Sequence, residues 1–214
     1  MQITMREYQN QDFNTLLDII RKTWHYDEFN TPETAKKLAA VFLSSCLTNY
    51  TFSRVALIDG KVVGIILLNH IEKHHCPLRN RIRQIRSLFS LYLSKEGRKA
   101  MKIFESVSGI DKLLLKELDR SYPAELALFA VSDSCRGKGI GKALFQEALN
   151  YAKAQQLESF YLFTDTSCNY GFYEHQGMVR CGEKEHTFQI EGQTANMHFF
   201  LYEYPFARLS QNTI

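Results

Sequence analysis

Residues 135–149 read CRGKGIGKALFQEAL, and the chemistry they offer is anion binding. Gly137, Gly139 and Gly141, interleaved with Arg136, Lys138 and Lys142, lie between a strand-like stretch, ELALFAVSD, and an amphipathic helical one, KALFQEALNYAKA. At the start of a helix several backbone N–H groups lack partners and the dipole is positive, so a phosphate binds there without special side chains. The glycines let the backbone approach closely and the basic side chains add charge, which suits a pyrophosphate. A Walker loop is excluded, because no GxxxxGK[ST] occurs. The spacing is GxGxG, which also differs from the GxGxxG of a dinucleotide fingerprint. The plain alternative is a tight strand-to-helix turn with exposed basic residues.

The elements around the loop set its place. Phe13, Leu16, Leu17, Ile20 and Trp24 fall at helical spacing, and TPETAKKLAAVFLSSCL starts with a threonine cap and a proline just inside it, so two helices open the chain. RVALIDGKVVGIILL is a hairpin turned at Asp59-Gly60. From Leu78 a helical stripe of Leu78, Ile82, Ile85, Phe89 and Tyr92 runs with Arg79, Arg81, Arg83 and Arg86 largely off it. Helix then continues to about Tyr122, with a break expected near Gly109. Strands follow at 124–132, SFYLFTD, HTFQI and NMHFFLYEY, with the turn IEGQT between the last two and a frayed tail at 205–214. Between them, CNYGFYEHQGM is a short helix closed by Gly177. The strand–helix–strand order at 124–165 needs a right-handed crossover, so those two strands are parallel in an otherwise antiparallel sheet.

RGKGIG after AELALFAVS resembles the acetyl-CoA pyrophosphate loop of the GNAT N-acetyltransferase superfamily, and NYGFYEHQGM resembles that superfamily's later motif. Both lie within about residues 124–178. The resemblance implies an α/β fold: a mixed, mostly antiparallel sheet of six to seven strands flanked by helices, with a splayed parallel pair at the cofactor site and a helical insertion. It implies acetyl-CoA as cosubstrate, with the backbone of Phe129, Ala130 and Val131 pairing the pantetheine arm. Arg136, Gly137, Lys138, Gly139, Ile140 and Gly141 would hold the pyrophosphate, and Asn169 would contact the cofactor near its thioester. Where many members carry an asparagine earlier in the later motif, this chain has Thr166.

A protonated amine must lose a proton before attacking a thioester. Glu125 is the candidate base, because AELALFAV resembles the stretch that carries the base in protein-lysine-acetylating members; strand alternation would put it on one face with Ala127 and Phe129. It acts directly or through a water, or it is an ordinary strand-end carboxylate. Tyr173 matches the family's acid for the departing thiolate, the alternative being a packing tyrosine beside Phe172. The backbone N–H of Val131 would hold the oxyanion. Direct transfer needs no covalent nucleophile, so Cys135 and Cys168 are read as small, buried or half-buried residues. The run HHC at 74–76 lacks the spacing of a metal site, and no metal is assigned.

Composition bounds the reading. The chain has 214 residues, 45% of them hydrophobic, a net charge of +3 and five scattered cysteines without a CxxC. These point to a folded, single domain over 1–214, with N-terminal helices and hairpin at 1–70, a helical insertion at 71–122 and a cofactor-binding core at 123–204. Reduced thiols and the absence of a secretory leader favour the cytoplasm. No apolar run reaches the ~20 residues of a bilayer span, so no membrane partner is expected. Nucleic acid is disfavoured, because no recognisable module accompanies the modest charge.

The expected function is acetyl transfer to a primary amine of a small molecule in a ternary complex. The alternatives are a protein lysine or N-terminal amine as acceptor, or a non-catalytic acyl-CoA-binding module. Pairing of two copies into a homodimer stays open. The basic residues of 78–102 are either a solvated helix face or a wall of the acceptor site favouring an acidic acceptor.

Overall fold

The computed structural model describes residues 2–190 and 193–206. In chain order the elements are β1 (Ile3–Arg6), a 3₁₀ turn (Asn10–Asp12), α1 (Phe13–Thr23), α2 (Tyr26–Phe29), α3 (Pro32–Cys46), β2 (Phe52–Ile58), β3 (Lys61–His70), α4 (Leu78–Tyr92) and α5 (Lys95–Glu117). They continue with β4 (Ala124–Val131), a second 3₁₀ turn (Asp133–Cys135), α6 (Ile140–Ala154), β5 (Ser159–Asp165), α7 (Gly171–His175), β6 (Val179–Ile190) and β7 (Gln193–Pro205).

Local chemistry explains several of these boundaries. Thr31 caps α3 by accepting from the Thr34 amide at 3.4 Å, with Pro32 in the first turn. Asp59 and Gly60 both adopt positive φ (47° and 78°), the twist a two-residue hairpin between β2 and β3 requires. The break expected near Gly109 is absent. α5 runs straight through it because Ile110 and Leu114 anchor that turn in the core, outweighing the ~1 kcal/mol a mid-helix glycine costs. The helix boundary lies earlier, at Ser94, whose hydroxyl accepts from the Gly97 amide at 2.9 Å. A strand, β1, precedes the two opening helices and pairs with β2. Of the turn IEGQT, Glu191 and Gly192 fall outside the described residues, as does the tail from 207, whereas Pro205 ends β7 and Phe206 packs against the core, so the chain is not frayed there.

The seven strands form one sheet in the order β1-β2-β3-β4-β5-β7-β6. Only β4 and β5 are parallel; every other neighbouring pair is antiparallel. One face is covered by α6, whose Leu144, Phe145 and Ala148 pack on Phe160, Leu162 and Tyr202. The other carries α1 and α3, with Leu16, Ile20 and Leu43 against Val55, Ile65 and Leu67, and beside them α5, with Ile110 and Leu114 against Tyr161 and Leu201. α4 forms an outer layer on α3 and α5 through Leu91, Leu38, Val41 and Ala100. The apolar stripe expected along α4 exists but is turned to solvent: Leu78 is 74% exposed and Phe89 64%.

A bulge decides which way β4 points. Leu67 pairs with Leu128 but Leu68 pairs with Leu126, so Ala127 is an extra residue on β4. The insertion shifts the side-chain alternation by one. Ala124 and Leu126 join the core under α6, and after the bulge it is Phe129 and Val131 that pack there, while Leu128 and Ala130 turn to α1 and α3. Glu125 therefore does not share a face with Phe129, as unbroken alternation required; it stands on the α3 and α5 side.

Candidate active site

The glycine loop is shaped by its own dihedrals. Gly137 and Gly139 have φ of 75° and 78°, left-handed values that side-chain-bearing residues rarely adopt, and Gly139 caps α6 in that conformation. A Cβ built on either would meet nothing within 4 Å, so the requirement is conformational and the concavity is open. The Ala143 amide starts the helical ladder by donating to the Gly139 carbonyl at 3.0 Å. The amides of residues 137–142 donate to no backbone carbonyl among the described residues. Six unpaired N–H groups at the positive end of a 15-residue helix form an anion cradle. Arg136 stands at its rim against Asp133 (2.7 Å), and Lys138 reaches the Ser134 carbonyl at 3.1 Å.

Next to the cradle the sheet opens. β4 and β5 pair at a single register position, Glu125 with Tyr161. The Ser132 amide donates to Val63 on β3 at 2.8 Å. Successive amides of a strand alternate in direction, so those of Val131 and Phe129 face the gap. A cavity of about 520 Å³ runs from the loop, past residues 129–131, to Glu125, Asp111, Asp165, Tyr173 and Asn169. A long, thin molecule with a pyrophosphate at one end fits this shape: cradle for the phosphates, free strand edge for an amide-bearing arm.

The far end of the cavity is protonically tuned. Burial pushes the Glu125 carboxyl above its ordinary range, partly opposed by the Tyr161 hydroxyl beside it. Asp111, on α5, is pushed up to about 7 by burial and then by the negative charges of Asp165 and Glu125. Burial, followed by Cys168 and Asp165, raises the Tyr173 hydroxyl, which keeps its proton throughout the physiological range. Cys168 is pushed up to about 11, chiefly by burial, so its thiol stays protonated. Cys135 is buried against the α6 core.

α7 places Tyr173 from behind through a charged network. The Tyr202 hydroxyl donates to Glu174 at 2.7 Å, and Arg180 donates to Tyr202 at 3.0 Å and to Glu174 at 2.9 Å while lying 4.2 Å over the Phe200 ring. Thr166 is taken by the sheet: its hydroxyl accepts from the His198 amide at 3.3 Å, and its amide donates to the His198 carbonyl at 3.0 Å.

All twelve residues singled out from the sequence line this cavity, except Lys138 on the rim of the loop. Two carboxylates were missed. Asp165 ends β5, and Asp111 sits at a helical position otherwise occupied by Val107, Ile110, Leu114 and Leu118. A carboxylate on an apolar stripe was the signal for Asp111. The basic residues of α4 are not there. Arg83 bonds the Tyr8 hydroxyl (3.0 Å) and Asn10 (2.8 Å) and stacks 4.5 Å over Phe13, and Arg79 and Arg86 line a separate groove between α3 and α4. From the stretch 71–122, only Val107 and Asp111 of α5 line the cavity.

Residues 110–178 match the model of the acetyltransferase (GNAT) family. A search of curated proteins finds no matching sequence. Among solved structures, the fold is shared with an N-acetyltransferase from Staphylococcus aureus Mu50, with TM-score 0.56 at 16% identity over 96% of this chain and 99% of that one. It is also shared with the ribosomal-protein-S18-alanine N-acetyltransferase from Escherichia coli, with TM-score 0.53 at 12% identity over 95% and 94%. An acetyltransferase of the GNAT family from Streptococcus pneumoniae gives TM-score 0.52 at 15% identity over 95% and 99%. At such identities these are likenesses of fold. The loop, the splayed strands and the family model all fall on one stretch, so residues 110–178 of this chain are similar to the acetyltransferase (GNAT) family.

Proposed function

We propose that the protein transfers an acetyl group from acetyl-CoA to a primary amine, a small cationic molecule before a protein amine. The observation that carries this is the single cavity joining the glycine loop to Glu125 and Tyr173. When bound, acetyl-CoA supplies an activated acyl thioester. The amides of residues 137–142 bind its pyrophosphate, and the free edge of Phe129–Val131 orients its arm through the gap. Glu125 takes the proton that an ammonium must lose, directly or through a water; a carboxyl raised by burial is a better base near neutral pH than one in water. The Val131 N–H faces the gap where negative charge develops on the acyl oxygen. Tyr173 holds a proton for the leaving sulfur, and burial keeps it there.

The acceptor end supports a cation. Asp111, Glu125 and Asp165 line it, and the lysine and arginine side chains on the cavity, Arg136 and Lys142, belong to the loop end, while His25, also on the cavity, meets Glu28 at 2.9 Å. An acidic acceptor would meet like charge. A protein lysine or N-terminal amine is the second reading, since the fold is shared with an enzyme named for N-acetylating an alanine of a ribosomal protein.

The test is thiol release from acetyl-CoA across amines of graded charge. Turnover with a mono- or diamine, lowered roughly 10²-fold or more by Glu125→Gln and by Tyr173→Phe, is expected. Full turnover in both variants would remove these residues from the mechanism, and preference for an acidic acceptor would remove the charge argument.

A further inference from the structure

We infer that α4 docks on an anionic bilayer surface, its outward apolar stripe lying in the interface and its arginines meeting lipid headgroups. The stripe is continuous. Leu78, Ile82, Ile85, Phe89 and Tyr92 recur at helical spacing and are 74%, 43%, 56%, 64% and 59% exposed, and Leu93, 65% exposed, extends it. The opposite side of the helix supplies the contacts to the fold: Leu91 is buried, Asn80 donates to the Leu47 carbonyl at 2.7 Å, and Ser87 meets Ser44 at 3.1 Å. α4 is therefore docked on one face and bare on the other. Six large apolar side chains in one exposed row exceed the scattered singles of an ordinary surface.

Charge decides the occupant. At about 100° per residue, Arg79 and Arg86 flank the stripe on one side and Arg81 on the other. On the first flank, Lys37, Arg79, Arg83 and Arg86 line a groove of about 680 Å³ that runs beside Leu78 and Ile82. No carboxylate occurs between Lys73 and Phe104 except Glu96, and its oxygens already take the Thr31 amide (2.7 Å), the Thr31 hydroxyl (2.6 Å) and the Thr34 hydroxyl (2.5 Å). Arg79, Arg81 and Arg86 form no ion pair among the described residues. A two-fold pair of α4 helices would set these arginines against their own copies with no counter-charge between them. The stripe is also a ridge, whereas recognition of a partner helix calls for a groove with apolar walls. A planar phase with an apolar interior and a negative surface satisfies both features at once, with the long arginine stems reaching up to the phosphates.

This is a surface contact and not a span. α4 has 15 residues, and no helix among the described residues is long and apolar enough to cross a membrane. The sequence set membranes aside on the spanning criterion, which a helix lying in the interface need not meet. The inference stands apart from the acetyl-transfer reading, because neither the stripe nor the groove shares a lining residue with the catalytic cavity.

Flotation of the full chain with vesicles tests it. Vesicles of phosphatidylcholine with about 30% phosphatidylglycerol are expected to float roughly tenfold more protein than pure phosphatidylcholine, and salt near ~0.5 M should weaken the binding. Ile82→Asp with Phe89→Asp, and separately Arg79→Glu with Arg86→Glu, should each abolish flotation. Both pairs are exposed, so melting temperature and nucleotide binding should stay as in the wild type, which separates lost docking from lost folding. No flotation by the folded wild type, or equal flotation with neutral and anionic vesicles, would overturn the proposal. So would a dimer by light scattering that Ile82→Asp with Phe89→Asp splits, since the face would then be an interface between copies.

Discussion

The thiol of Cys46, near the end of α3, donates to the carbonyl oxygen of Ala127 at 3.3 Å. Ala127 is the extra residue of the β4 bulge, so its carbonyl has no strand partner opposite it on β3. One weak hydrogen bond thus ties the N-terminal helices to the bend that frees the edge of β4. Burial pushes the Cys46 thiol up, so it stays a donor. Cys46→Ala should cost about 1–3 kcal/mol, from the orphaned carbonyl and the lost packing, and Cys46→Ser should recover part of it. Thermal melts of the three proteins check this, and equal melting temperatures would show that the bulge holds itself.

Asp111 makes stability depend on pH with a definite sign. Its carboxyl rises from 3.8 to about 7 on folding, so between those values the unfolded chain sheds a proton that the folded one keeps. Stability therefore falls as pH rises across that window and is level above it. Asp111→Asn should be more stable than the wild type at pH above about 7, by on the order of 2 kcal/mol, and the difference should vanish toward pH 4. Denaturant melts at several pH values measure it.

Under the proposed mechanism, Glu125 gives the rate its acid limb. Because burial holds the carboxyl above its ordinary range, kcat/KM should rise with pH through a pKa higher than that of a solvent-exposed glutamate. Glu125→Gln should lower the rate and flatten that limb, leaving the KM for acetyl-CoA within about twofold. A pH profile unchanged in shape would assign the base elsewhere.

Arg180 positions without touching the cavity. It holds Glu174, on the short helix that carries Tyr173, to Tyr202 of β7 behind it. Arg180→Ala should lower kcat roughly 3–10-fold with little change in nucleotide affinity, whereas Arg180→Lys, which cannot span both partners, should recover only part of it. A steady-state comparison of the three is sufficient.

What could be read from the sequence was what local chemistry decides. Asp59-Gly60, the Thr31 cap and the glycine loop each carry their conformation in a few adjacent residues, and all three stand as expected. Long-range packing was not legible in the same way. The bulge at Ala127 leaves no mark in AELALFAV, yet it moves Glu125 to the face opposite Phe129. The helix through Gly109 survives because Ile110 and Leu114 are buried, a fact about the sheet beneath them. The stripe on α4 is legible as a stripe, and only the third layer of the fold shows that it faces outward. Asp111 was visible as a polar intruder on an apolar stripe, but the cavity it faces is assembled from four distant elements.

We propose that residues 136–141 hold a pyrophosphate. Gly139→Glu would strain a residue at φ 78° whatever the ligand, so charge reversal at Arg136 and Lys138, both exposed, is the cleaner change. The measurement is calorimetric titration of acetyl-CoA, desulfo-CoA and ADP into the wild type and into Arg136→Glu with Lys138→Glu. All three ligands should bind the wild type, acetyl-CoA most tightly, and the double variant should lose at least about tenfold for each while melting at the same temperature. A folded wild type that binds none of them would rule the pyrophosphate site out, leaving the loop a tight turn between a strand and a helix.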